Sequence, residues 1–177
     1  NNTGGFKVKI ALVREGEPLL GVVNSPAHKT LYYSHNGIAS YKKTGDEAAQ
    51  VIKTRKVPAC SELRVLFDAL HSDPVRYKTL SDAFNRQGLV MPEAPETSPG
   101  GLARNLRVAE GEYDMRIKTQ RSLTILFEPS SGYIWDSAPD KIILDNAGGA
   151  MIRIQDGSPL RFDGNPRGRV CLLDTSD

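Results

Sequence analysis

The sequence predicts an α/β (α+β) chain, with an antiparallel sheet portion over residues 1–58 and a C-terminal α/β domain over 59–177. Two observations predict it. Apolar and polar residues alternate with period two in the first third, the pattern of half-buried strands. After residue 60, strand-like and helix-like runs alternate, which argues for an α/β layer. The 177 residues, 39% apolar and 25% charged, are enough for a real core and have a globular composition.

Phe6, Val8 and Ile10 alternate with Lys7 and Lys9 in a first strand. Arg14-Glu15-Gly16-Glu17 reads as a polar turn, and Leu19 to Val23 as a second strand with Pro18 at its start, where a missing N–H costs least. Leu31 to Ser34 and Ala39 to Lys42 flank His35-Asn36-Gly37, a hairpin signal because Asn-Gly tolerates positive φ. Lys43 to Ala49 reads as a polar connector. Leu63 to Phe67 is a short apolar strand. Asp73-Pro74 then opens a helix, with Val75, Leu80, Ala83 and Phe84 on one face and Gly88 as its end.

Leu89 to Met91 is a further strand candidate. Pro92 to Gly101 holds three prolines and two glycines and reads as a loop. Leu102 to Glu110 is a short helix closed by Gly111. Tyr113 to Ile117 and Leu123 to Phe127 read as strands. The clearest helix runs from Ser137 to Ala147, with Asp136 as N-cap, Pro139 in the first turn, and Gly148-Gly149 as its stop. Ala150 to Ile154 and Pro159 to Phe162 form a hairpin across Asp156-Gly157.

A net charge of +2 gives no argument for nucleic acid or a membrane surface, and no apolar run approaches the ~20 residues of a membrane span. Cys60 and Cys171 do not make a disulfide framework, so a reducing cytoplasm is the location expected. His28, His35 and His71 show no ligand spacing. Lys42, Lys43, Lys53, Arg55 and Lys56 read as a solvated connector, because no aromatic residue beyond Tyr41 interleaves them.

Three stretches together resemble the inositol monophosphatase superfamily, most closely its 3′(2′),5′-bisphosphate nucleotidase branch. The first, FKVKIALVREGEPLLGVVNSPAHKTLYYSHNGIASY from Phe6 to Tyr41, matches the family's strand pair, GVV-x-x-P turn and following hairpin. The second, LRVAEGEYDM from Leu106 to Met115, is similar to its helix ending in VAEG-x-x-D. The third, WDSAPDKIILDNAGGAMIRIQDGSPLRF from Trp135 to Phe162, carries the WD-x-A helix, the AGG stop and the D-x-x-G-x-PL hairpin.

The resemblance implies a layered αβαβα fold and a Mg²⁺-dependent phosphomonoesterase of the bisphosphate nucleotidase or inositol monophosphatase type, a hydrolase. Its ligands would be phosphorylated small molecules, nucleotide or inositol phosphate. It assigns Asp136 as a metal ligand, although position alone gives an N-cap. Arg104 falls where the nucleotidase branch carries a basic residue near substrate phosphate. Gly100 and Gly101, before a helix, are candidates for anion contact through N–H groups, beside a plain loop reading. The family's other metal ligands are a Glu in the N-terminal half and two Asp in a DP-x-DGT motif, expected just before Asn1. No complete catalytic set is therefore expected in these residues, and the isolated chain is expected to be inactive. The resemblance also implies that Phe6, Val8, Ile10, Leu12, Leu20 and Val22 need covering, by an N-terminal half or a homodimer partner. The alternative is a non-catalytic domain that keeps the fold and binds a phosphorylated ligand or a protein. In either case Asp140 stands where the family has a small residue.

Overall fold

Strand β1 (Val8–Arg14) and strand β2 (Glu17–Ser25) form an antiparallel hairpin. Its two turn residues, Glu15 and Gly16, have φ of 53° and 81°, which matches the twist of the flanking strands. Leu12 pairs with Leu20 and Val13 with Pro18, so Leu19 is an extra residue in β2. A bulge is where proline's missing N–H is tolerated within a sheet. The computed structural model describes residues 6–56, 64–67, 74–86, 104–117, 130–131, 134–152, 157–162 and 169–170.

A 3₁₀ turn at Pro26–His28 leads into β3 (Thr30–His35), and the Asn36-Gly37 turn into β4 (Ser40–Thr44). A fifth strand, β5 (Gln50–Ile52), completes an antiparallel sheet in the order β1-β2-β3-β4-β5. The connector expected over residues 43–49 is thus shorter: Lys43 and Thr44 extend β4, and Gly45 turns the chain with φ 54°. Three residues beside a basic run are too few to show a period.

The two faces of this sheet differ. On one face the register joins Ile10, Val22, Tyr33, Tyr41 and Val51 into a single apolar row across all five strands. Phe6, Val8, Ile10, Leu12 and Leu20 are 60, 49, 57, 58 and 36% exposed. On the other face lie Lys9, Ala11, Gly21, Val23, Tyr32, Ser34 and Ser40, covered by helix α3 (Ile134–Asn146), which packs on β2, β1, β3 and β4.

Before α3, β6 (Val65–Phe67) pairs in parallel with β7 (Met115–Ile117), with α1 (Pro74–Arg86) and α2 (Arg104–Ala109) between them in sequence. Parallel strands require such a crossover. Two short strands, β8 (Ser130–Ser131) and β9 (Arg169–Val170), pair antiparallel. The strand candidates at 89–91 and 123–127 and the loop at 92–101 lie outside the described residues.

Helix α3 is seated by polar contacts as well as burial. Ser40 Oγ donates to the Ile143 carbonyl at 2.6 Å, and Asn146 Nδ2 donates to Ser34 Oγ at 2.8 Å. Gly148, at φ 100°, ends the helix; its N–H reaches the Asp145 carbonyl and that of Gly149 the Leu144 carbonyl. That pair of bonds is a Schellman motif, as the AGG stop predicts. The start differs from expectation. The helix begins at Ile134, so Asp136 is its third residue rather than its N-cap, and Pro139 lies inside the helix. The core of Val23, Tyr32, Leu106, Val108, Ile143, Leu144, Met151, Leu160 and Phe162 lies between α3, the sheet and α2. Phe162 N–H closes the 159–162 segment onto the Gly16 carbonyl at 2.8 Å.

Candidate functional site

The first turns of α3 meet β1 and α2. Lys9 points from β1 to the helix-covered face, where its Nζ donates to the Asp136 carbonyl at 2.6 Å and to Asp140 Oδ2 at 2.7 Å. Asn105 Nδ2, in the first turn of α2, donates to the same Oδ2 at 2.5 Å. Arg116 on β7 donates in turn to Asn105 Oδ1. One buried carboxylate thus connects three elements, and its network reaches a fourth. Asp140 is 1% exposed, and its Oδ1 has no hydrogen-bond partner among the described residues.

Asp136 sits one turn before Asp140, and its side chain is on the exposed surface. A carboxylate in a helix's first turn is favoured by the macrodipole. Arg104 begins α2, next to Asn105, so the network brings the starts of α2 and α3 together. The Arg104 side chain, Gly100 and Gly101 lie outside what is described.

Two further clusters flank α2. Tyr32 Oη donates to Glu110 Oε1 at 2.6 Å, while Lys42 pairs with Glu110 Oε2 and lies 5.7 Å over the Tyr32 ring. Burial, and then Glu110 as hydrogen-bond acceptor and neighbouring charge, push the Tyr32 hydroxyl far above its ordinary range. Asp114 is 2% exposed. Burial pushes its carboxyl up, but the Arg55 fork, the Arg64 N–H at 2.7 Å and both guanidinium charges outweigh that and hold it below the usual carboxylate range. Lys42 and Arg55 are therefore half-buried and paired with carboxylates, not parts of a solvated connector. Glu110, Glu112 and Asp114 each meet a cation: Lys42, Arg107 and Arg55. A cleft of about 420 Å³ opens beside β5, between Lys42, Glu47, Lys53 and Glu110, with no lining residue from α3.

Asp136 and Arg104 are site residues expected from the resemblance; the network adds Lys9, Asn105 and Arg116, and centres on Asp140, expected only as a departure from the family. A signal existed. Lys9 stands in the row of β1 that alternates with the apolar one, so it faces either water or a buried carboxylate.

The residues do not by themselves fit a Mg²⁺ centre. Such an ion takes about six oxygens, usually including one or two carboxylates. No group of three or more His, Cys, Asp or Glu able to hold a metal occurs among the described residues. Asp136 offers one exposed carboxylate, and the Asp140 carboxylate is already engaged by Lys9 and Asn105. No helix among the described residues is long and apolar enough to cross a membrane.

The 3′(2′),5′-bisphosphate nucleotidase CysQ of Salmonella typhimurium is 29% identical over 164 residues, covering 93% of this chain and 56% of that protein. CysQ of Aggregatibacter actinomycetemcomitans is 29% identical over 167 residues, 92% of this chain and 54% of that protein. The chain therefore spans about half the length of the curated relatives it matches. Among solved structures, CysQ from Bacteroides thetaiotaomicron aligns with a TM-score of 0.65 at 22% identity, over 97% of this chain and 62% of that one. Inositol monophosphatase-II from Staphylococcus aureus aligns with a TM-score of 0.65 at 18% identity, over 96% of this chain and 57% of that one. The family model described as "Inositol monophosphatase family" matches residues 2–174, nearly the whole length. This chain belongs to the inositol monophosphatase family.

Proposed function

We propose that these residues form the C-terminal half of a Mg²⁺-dependent phosphomonoesterase acting on a 3′(2′),5′-bisphosphate nucleotide or an inositol phosphate in the cytoplasm. The observation that carries the reading is the family match over residues 2–174, with the WD aspartate, Asp136, displayed at the surface in the first turn of α3. The nucleotidase side rests on the curated relatives, which are bisphosphate nucleotidases at 29% identity. Asp136 supplies one hard oxygen ligand; the remaining carboxylates come from an N-terminal half carrying the DP-x-DGT motif. That half also covers the apolar face of the five-stranded sheet, since exposed apolar surface of this extent marks an interaction site. Arg104, Gly100 and Gly101 serve the substrate phosphate.

The test is phosphate release from adenosine 3′,5′-bisphosphate and from inositol monophosphate with Mg²⁺ present. The 177-residue chain is assayed alone and fused to the N-terminal half of a bisphosphate nucleotidase. No turnover is expected alone, and Mg²⁺-dependent turnover is expected in the fusion. Family-like turnover by the chain alone overturns the incomplete site. Binding without hydrolysis in the fusion supports a non-catalytic phosphate-binding domain instead, and neither binding nor hydrolysis overturns both.

A further inference from the structure

We infer that Asp140 is the positioning residue of this site, holding the starts of α2 and α3 in one arrangement through Lys9 and Asn105; the functional part of the inference rests on the reading above. The Asp140 carboxylate is the only group described that touches residues of β1 and α2 from within α3 through hydrogen bonds of 2.7 and 2.5 Å. Lys9 extends the grip one turn back, to the Asp136 carbonyl. Asn105 extends it to Arg116 on β7 and is the chain neighbour of Arg104. The network therefore fixes the backbone beneath both Asp136 and Arg104.

Stability alone does not explain a carboxylate at this position. Asp140 is 1% exposed and leaves Oδ1 without a hydrogen-bond partner among the described residues. A buried ion pair is weak evidence for stability, and its best-supported use is to specify one arrangement among several. Pro139 sharpens the need. It has no N–H to give to the Trp135 carbonyl one turn back, so the helix's own ladder lacks one bond beside Asp136. Lys9 adds a hold from the sheet at the next carbonyl, that of Asp136.

Two readouts test this. In the 177-residue chain, amide hydrogen exchange is compared for Asp140→Asn, Lys9→Met, the double variant and Lys9→Arg. Each of the first two is expected to accelerate exchange at residues 105–109 and at 137, 138, 140 and 141 at least tenfold, with less than threefold change at 142–146. The double variant is expected to be no faster than the faster single one, because coupled residues are not additive. Lys9→Arg is expected to restore most of the protection. Unchanged exchange, uniform acceleration along α3, or additive effects overturn the inference. Where Asp140→Asn does not fold, Lys9→Met against Lys9→Arg makes the same comparison.

In the fusion protein, Asp140→Asn is expected to raise KM for adenosine 3′,5′-bisphosphate and to lower kcat, each at least tenfold, because the backbone beneath both Arg104 and Asp136 is released; an unchanged KM and kcat overturn the link to the site. If the fusion binds without turnover, Kd for that compound replaces KM. Arg104→Ala with no effect on KM or Kd counts against the functional reading alone, and the exchange result still decides whether Asp140 positions the two helices.

Discussion

Gly21→Ala tests how tightly α3 is seated on the sheet. A Cβ at residue 21 would lie 2.6 Å from Ile142 Cγ2, 2.6 Å from the Pro139 carbonyl oxygen and 2.9 Å from Pro139 Cα. Gly21 lies within β2 and outside the positive-φ region, so the cost is overpacking rather than backbone strain. Overpacking of this kind costs roughly 1–3 kcal/mol. Two of the three contacts are backbone, which cannot swing aside without moving the helix, so about 2–3 kcal/mol is expected. At about 2–4 °C per kcal/mol for a chain of this size, Tm drops by roughly 5–10 °C in a circular-dichroism melt. Gly37→Ala is the control. Nothing lies within 4 Å of its added Cβ, and its φ of 81° alone is penalised, by about 1 kcal/mol. A Gly21→Ala melt within about 2 °C of the parent, or no lower than Gly37→Ala, would refute the close seating.

Three further outcomes are expected. Asp114→Asn is expected to cost about 2–3 kcal/mol in urea, below the usual cost of breaking a buried pair because both arginines are partly exposed. The depressed Asp114 carboxyl adds stability that is complete above its unfolded pKa of about 4 and is lost as pH falls through its lower folded value; the variant then shows a flatter acid limb in stability against pH, and an unchanged limb contradicts the assignment. The parent chain is expected to self-associate in sedimentation velocity, and Val8, Ile10 and Leu12 changed together to Ser to reduce this; a parent that stays monomeric at high concentration counts against the interface reading. Asp136→Asn is expected to leave stability within about 0.5 kcal/mol, as for an exposed site, yet to abolish Mg²⁺-dependent hydrolysis in the fusion; full activity there removes Asp136 from the ligand set.

The fold was largely legible where one local signal decides one element. Alternation of Phe6, Val8 and Ile10, the Asn36-Gly37 turn and the Gly148-Gly149 stop each report short-range backbone preferences, and each element lies where expected. The N-terminus of α3 was misplaced because Asp136-Ser137 carries a strong cap signal, while packing of the Ile134 side pulls the helix back by one turn. β5 was missed because its pairing with β4 is a tertiary fact, Tyr41 against Val51 and Ser40 against Ile52. The Asp140 network was not legible for the same reason. Asp136 and Arg104 are assigned by resemblance, whereas Lys9 and Asp140 are 131 residues apart, and only the packed sheet and helix bring them together. Lys9 read as an ordinary polar residue of a half-buried strand and Asp140 as a departure from the family; the pairing of the two explains both.

Lys9 and Ile10 are consecutive residues, about 3.3 Å apart along the strand, yet one faces Asp136 and the other stands in the apolar row on the opposite face. The short turn at Glu15-Gly16 fixes which of them faces which side. A slip of one residue would exchange the two rows, driving Ile10 against the Asp140 carboxylate and exposing a lysine where a partner seeks apolar contact. Errors in this hairpin therefore cannot spare one surface at the expense of the other. A single turn is the proofreader for both assembly and site.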